Sequence, residues 1–102
     1  MEIPDENILH KIYSIKQEIE CLETMFKGEK HFLLSNRKNG LIYELPEAGF
    51  EVINRLKNKM LPNDIVKDIV NEYDVDIELA TSDIKELLEE LIELRFITEI
   101  DE

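Results

Sequence analysis

Apolar and polar positions alternate along the stretch from His31 to Leu45. Two such runs flank Asn39-Gly40, a pair suited to a type I′ turn because both central residues of that turn need positive φ. With Asn39 and Gly40 central, Lys38 faces Leu41, Asn36 faces Tyr43 and Leu34 faces Leu45. Period-2 geometry then gathers Phe32, Leu34, Leu41, Tyr43 and Leu45 on one face. Leu33, Ser35, Arg37, Ile42 and Glu44 fall on the other face. Upstream, Ile8, Ile12, Ile15, Ile19, Leu22 and Phe26 follow the 4-3-4-3-4 spacing of a heptad seam, with Asp5 placed to cap it. The same stretch is rich in strand formers, and Ile19, Cys21 and Met25 alternate with Glu18, Glu20 and Thr24. A two-stranded hairpin is marginal alone, which favours a third strand near 18–26, joined through a short loop at Lys27–Lys30. Residues 5–16 are then helical or irregular.

Helical periods take over at Pro46. Phe50, Ile53 and Leu56 form one buried face of a first helix, and Lys57-Asn58-Lys59 mark its end. A second helix follows Leu61-Pro62, with Asn63 as its cap and Ile65, Val66, Ile69, Val70 and Tyr73 inside. Asp76 is placed to cap a third, from Ile77 to Leu94, whose stripe is Ala80, Ile84, Leu87, Leu88 and Leu91. Ile92 and Leu94 widen that stripe on opposite flanks. Phe96-Ile97 closes the core, and residues 98–102 form a frayed acidic tail. The pattern predicts an α+β fold: a three-stranded antiparallel meander followed by three helices, in the order of a small winged helix-turn-helix. No later strand is available to cover Leu41–Leu45. So apolar an edge, guarded only by Glu44, is an aggregation hazard or a rail for another peptide.

The total charge narrows the partners. The 102 residues make one domain, with a formal net charge of −12. Residues 76–102 hold ten acids against Lys85 and Arg95, whereas residues 27–59 hold seven bases against four acids. A DNA-binding winged-helix regulator would have to bring Asp83, Glu86, Glu89, Glu90 and Glu93 close to phosphates, which repels. A second alternative is a structural homodimer through the Ile8–Phe26 heptad. No apolar run reaches the length of a membrane span, and the acidic start lacks a basic n-region, so a cytoplasmic protein is expected. Cys21 is the one cysteine, and His10 and His31 stand apart, so neither a metal site nor a nucleophilic centre is expected. Met25, Met60 and Tyr43 read as core residues. Glu89 and Glu90 point apart on their helix, and Gly28, Gly40 and Gly49 are too scattered for a phosphate loop. Enzymatic activity and cofactors are therefore not expected.

Several segments together resemble the PqqD-like family, the recognition elements of ribosomally made, post-translationally modified peptide pathways. They are the hairpin HFLLSNRKNGLIYEL, the helix start Leu45-Pro46-Glu47-Ala48-Gly49, the run DIVKDIVNEYDVD from Asp64 to Asp76, and DIKELLEELIELRFI from Asp83 to Ile97. Two positions depart from the pattern: Pro46 stands where the family often has Asn, and Arg95 where it often has Gly before the last apolar pair. The resemblance implies an N-terminal extension over residues 1–17 and a recognition domain over 18–97. It also implies a non-catalytic chaperone that holds the leader of a precursor peptide for a radical-SAM maturase or a cyclase. The leader would add as a fourth strand along Leu41, Ile42, Tyr43, Glu44 and Leu45 and lie against the last helix. The flank Lys85, Leu88 and Ile92 is the one expected to meet it, with Leu87 and Leu94 as the alternative. Arg37, Lys38 and Lys85 would steer acidic leader residues.

Overall fold

The chain crosses between strand and helix where its side-chain pattern changes period. The computed structural model describes residues 8–100. In order the elements are β1 (Tyr13–Ile15), β2 (Ile19–Phe26), β3 (Glu29–Asn36), β4 (Ile42–Leu45), α1 (Glu47–Lys57), α2 (Pro62–Tyr73), α3 (Ile77–Glu93) and β5 (Ile97–Glu99). Strands β2, β3 and β4 form one antiparallel sheet in that order, and β1 pairs with β5 in a separate ribbon. Helix α1 packs against β3 and β4, α2 and α3 pack against α1 and each other, and the α+β arrangement is that of a winged helix-turn-helix.

The two hairpin turns exchange the roles that their sequences suggest. Lys27 and Gly28 carry φ of 54° and 80°, so the two-residue turn with paired positive φ joins β2 to β3. Between β3 and β4 only Gly40 has positive φ, at 79°. Asn36 Oδ1 accepts from the amides of Lys38 at 2.8 Å and Asn39 at 3.3 Å, and Gly40 N–H donates to Asn36 O at 2.8 Å. The side chain of Asn36 thus satisfies a wider loop, Arg37–Gly40, and the tight turn at Asn39-Gly40 does not form. The register moves by two, with Leu34 opposite Tyr43 and Phe32 opposite Leu45. A slip of two preserves every facing, so Phe32, Leu34, Tyr43 and Leu45 still point at the helices. Leu41 closes the loop instead of lying in the strand.

The start and the tail are bound to each other. Tyr13 pairs with Glu99, Ser14 with Thr98 and Ile15 with Ile97, while Ile100 N–H donates to Ile12 O at 2.8 Å. Thr98 and Glu99 are therefore ladder residues, not frayed ones, and Tyr13–Ile15 is extended where a helix or irregular chain was expected. The heptad spacing does not become a helical seam, because Ile15 lies in β1 and Ile19, Leu22 and Phe26 lie in β2. The expected helical reading of residues 5–7 lies outside the described residues. Tyr13 is 1% exposed and its hydroxyl donates to Ile8 O at 3.0 Å, so the ribbon is anchored in the core.

Arg95 makes this pairing geometrically available. At φ 66° it occupies the left-handed position after α3. Its N–H donates to Ile92 O at 3.0 Å, and Phe96 N–H donates to Leu91 O at 2.9 Å. This is the Schellman ending usually built on glycine, with its apolar contact supplied by Leu91 and Phe96, both fully buried. Asp76 caps the other end of α3 through Oδ2, which accepts from Glu78 N at 3.0 Å and Leu79 N at 3.3 Å. Asn63 does not cap α2. Pro62 is its first residue, and Asn63 N–H instead donates to Leu9 O at 2.9 Å, a cap drawn from the start of the chain. Arg55 ties α1 to α2 through Glu51, Asp68 and Glu72 at 3.0, 3.3 and 2.8 Å. Met25, expected inside, is 62% exposed where the β2–β3 hairpin runs past the helices.

Arg95→Gly should raise unfolding stability by about 1 kcal/mol, because the left-handed conformation costs an L-residue roughly that much. Chemical denaturation reads it, and a lower midpoint would contradict the assignment. Asp76→Ala should cost about 1 kcal/mol in the same measurement through loss of the cap.

Candidate functional site

β4 lies at the border of the sheet, and hydrogen-bond alternation decides which of its groups face outward. Asn36 N–H donates to Leu41 O at 2.8 Å, which makes that pair a bonded one. In an antiparallel ladder bonded and non-bonded pairs alternate, so Tyr43 and Leu45 also turn their backbone groups to β3. The N–H and C=O groups of Ile42 and Glu44 therefore point away from the sheet. Among the described residues nothing pairs with them, since β1 lies against β5 and not against β4.

The side chains of β4 divide in the same way. Leu45 is 3% exposed, and Tyr43 is half-buried against Phe96 with ring centres 5.9 Å apart. The Tyr43 hydroxyl donates to Glu90 Oε1 at 2.6 Å, joining β4 to α3. Burial first, and then the bonded and charged Glu90 carboxylate, push the Tyr43 phenol up to about 12. On the opposite face Ile42 is 61% exposed, and Glu44 meets His31 Nδ1 at 2.7 Å.

Next to this border a cleft of about 400 Å³ opens between the start of α1, the end of α2 and one flank of α3. Pro46, Ala48, Gly49 and Val52 form one wall. Pro46 offers no side-chain cap to α1, and its ring lines the cleft instead. Gly49 lets α1 lie close to β4, because a Cβ there would already be 3.4 Å from Leu45 Cδ2. The facing wall includes Asp83, Glu86, Leu87 and Glu90 of α3. Tyr73 completes it, and its phenol is also raised, by burial first and then by the charges of Glu47, Glu72 and Glu51, opposed by Arg55.

Only part of the expected site is brought together. Ile42, Tyr43, Glu44 and Leu45 form the border strand, with Leu41 at its loop end. Leu88 is fully buried in the centre of the α3 stripe and has no surface to offer. Lys85 lies in a shallow depression with Ile77, Thr81 and Glu89, and Ile92 lies beside Tyr13, Lys16 and Ile97. Both are turned from β4. The flank beside β4 is the alternative one: Leu87 lines the cleft, and Leu94 follows it at i+7. Periodicity identifies both edges of a stripe equally well, and only packing decides which edge meets the sheet. The expected steering cations are also elsewhere. Arg37 donates to Gln17 O at 3.1 Å and faces Glu20 at 3.7 Å, and Lys38 sits in the β3–β4 loop. The acidic edge of the cleft was the feature overlooked, although Asp83, Leu87 and Glu90 share helical spacing with one another.

Cys21 is half-buried, and burial raises its thiol despite the opposing Lys57. No cluster of three metal-ligating side chains occurs among the described residues, and no described helix is long and apolar enough to cross a membrane.

Comparison with known proteins bears on this geometry. No curated protein matches the sequence. A solved structure described as "Lasso peptide synthetase B1 complexed with the leader peptide" is similar at a TM-score of 0.74 and 23% identity, covering 85% of this chain and 98% of that one. Another, "TbiB1 in Complex with the TbiA(beta) Leader Peptide", is similar at 0.69 and 19% identity, covering 87% and 99%. Both likenesses are of fold. The family profile PqqD, Coenzyme PQQ synthesis protein D, matches residues 30–97, which hold β3, β4 and all three helices. A match over most of the chain, including both walls of the cleft, makes this protein a member of the PqqD family.

Proposed function

We propose that the protein captures the leader of a ribosomally made precursor peptide by strand addition at β4 and presents it, without catalysis of its own, to a modifying enzyme. The observation that carries this reading is the outward row of Ile42 and Glu44 backbone groups running beside an apolar cleft. A backbone donor and acceptor row pairs with any extended chain, and side-chain pockets beside it add selectivity. Two structures of the same fold, named above, were solved with leader peptides bound, which supports the same use here. In this reading the leader lies between β4 and the α3 flank of Leu87, Glu90 and Leu94, with Ile42 and Glu44 pairing to its backbone. The enzyme served would be a radical-SAM maturase or a cyclase. The work belongs in the cytoplasm, where the lone Cys21 thiol meets reducing conditions.

A short precursor reading frame beside this gene would supply the leader as a synthetic peptide for titration. Ile42→Pro removes one outward N–H and should weaken that leader by at least about tenfold, while the helical circular-dichroism signal persists. Unchanged affinity would exclude strand addition at β4. Leu87→Glu should cost about tenfold more affinity than Ile92→Glu, because a charge would then face the bound chain. The reverse order would move the leader to the other side of α3.

A further inference from the structure

The charge of the cleft walls restricts what can enter. Asp83, Glu86 and Glu90 stand along one wall, and no lysine or arginine lines the cleft among the described residues. None of the three carboxylates is in an ion pair among the described residues. Glu90 accepts only a phenolic hydrogen bond, from Tyr43 at 2.6 Å. Tyr73, which lines the cleft, feels the carboxylates of Glu47, Glu72 and Glu51, and Tyr43 of β4 feels that of Glu90. The space is therefore apolar at its floor and negative at its rim. An acidic segment would be repelled there, and a basic one would supply the missing counter-charge.

We infer that the peptide segment received in this cleft is cationic, with one apolar side chain filling the cleft and a Lys or Arg two residues away meeting the carboxylates of α3. The inference rests on the strand-capture reading and adds the sign of the ligand's charge. In an extended chain, residues two apart project to the same side about 6.6 Å from one another. Leu87 and Asp83, an apolar and an acidic residue of this wall four residues apart on a helix, are separated by about 6 Å along its axis. An anchor and its cationic neighbour thus match one turn of α3. This reverses the acidic leader expected from Arg37, Lys38 and Lys85, none of which lines the cleft.

Short randomised peptides displayed on phage, selected on the immobilised full chain, test it without knowledge of the natural leader. Lys and Arg should exceed Asp and Glu by about fivefold or more two positions from the selected apolar residue. Asp83→Asn/Glu86→Gln/Glu90→Gln, checked for folding by circular dichroism, should bring that ratio close to parity. Glu78→Gln/Glu89→Gln/Glu93→Gln alters net charge equally on other parts of α3 and should retain the bias. Peptides that need an intact β4 edge, as judged by loss on Ile42→Pro, yet show no cationic bias would overturn the charge inference alone. So would a bias that survives in the cleft variant or disappears equally in the control. Selection that enriches nothing, or enriches equally on Ile42→Pro, would overturn strand capture and this inference with it.

Discussion

A backbone amide at a sheet border must find a partner in water or in another chain, and at β4 that requirement organises the molecule. β3 is bonded on both sides, to β2 and to β4, so its own groups are satisfied. β4 then carries the open row at one border of the sheet, as β2 does at the other. Its inner side chains, Tyr43 and Leu45, are held by the helices, which keeps the row straight and fixed in place. A border that is rigid before binding loses little conformational entropy when a second backbone joins it.

The open border depends on where the rest of the chain goes. A second antiparallel partner for β4 was available within the protein, because Tyr13–Ile15 is extended. It is drawn instead to β5. That diversion begins with one residue: Arg95 in the left-handed conformation turns the chain sharply after α3 and brings Ile97–Glu99 alongside Tyr13–Ile15. Leu9 O reaches on to the amide of Asn63 and stabilises α2 as well. The ends of the described chain thus close on each other and on the helices, and β4 is left alone.

Charge acts on a second level. The net −12 of the chain is not spread evenly. One set of acids is gathered around Arg55, which pairs with Glu51 of its own helix and with Asp68 and Glu72 of α2. Another, on the cleft side of α3, has no such partner among the described residues. The first set is part of the fold, and the second is available to a ligand. The Tyr43–Glu90 bond lies between these roles, since it holds β4 against α3 while leaving one carboxylate oxygen open to the cleft.

The amino-acid pattern by itself determined the kinds and order of the elements from β2 to α3, the cap at Asp76 and the inward set Phe32, Leu34, Tyr43 and Leu45. These follow from periodicities and local hydrogen bonds that act within a few residues. It even made the edge of β4 legible, because a shift of two in register leaves the outward groups unchanged. What only the tertiary structure decided depends on contacts between distant segments. Of the heptad-spaced residues, Ile15 became a strand residue against β5, eighty or more positions along the chain, while Ile19, Leu22 and Phe26 joined β2 against β3. Leu87, and not Lys85 or Ile92, came to line the cleft because helix periodicity fixes a stripe without fixing which neighbour each of its two margins meets. The acidic cleft exists only where three helices meet, and no local pattern encodes that meeting.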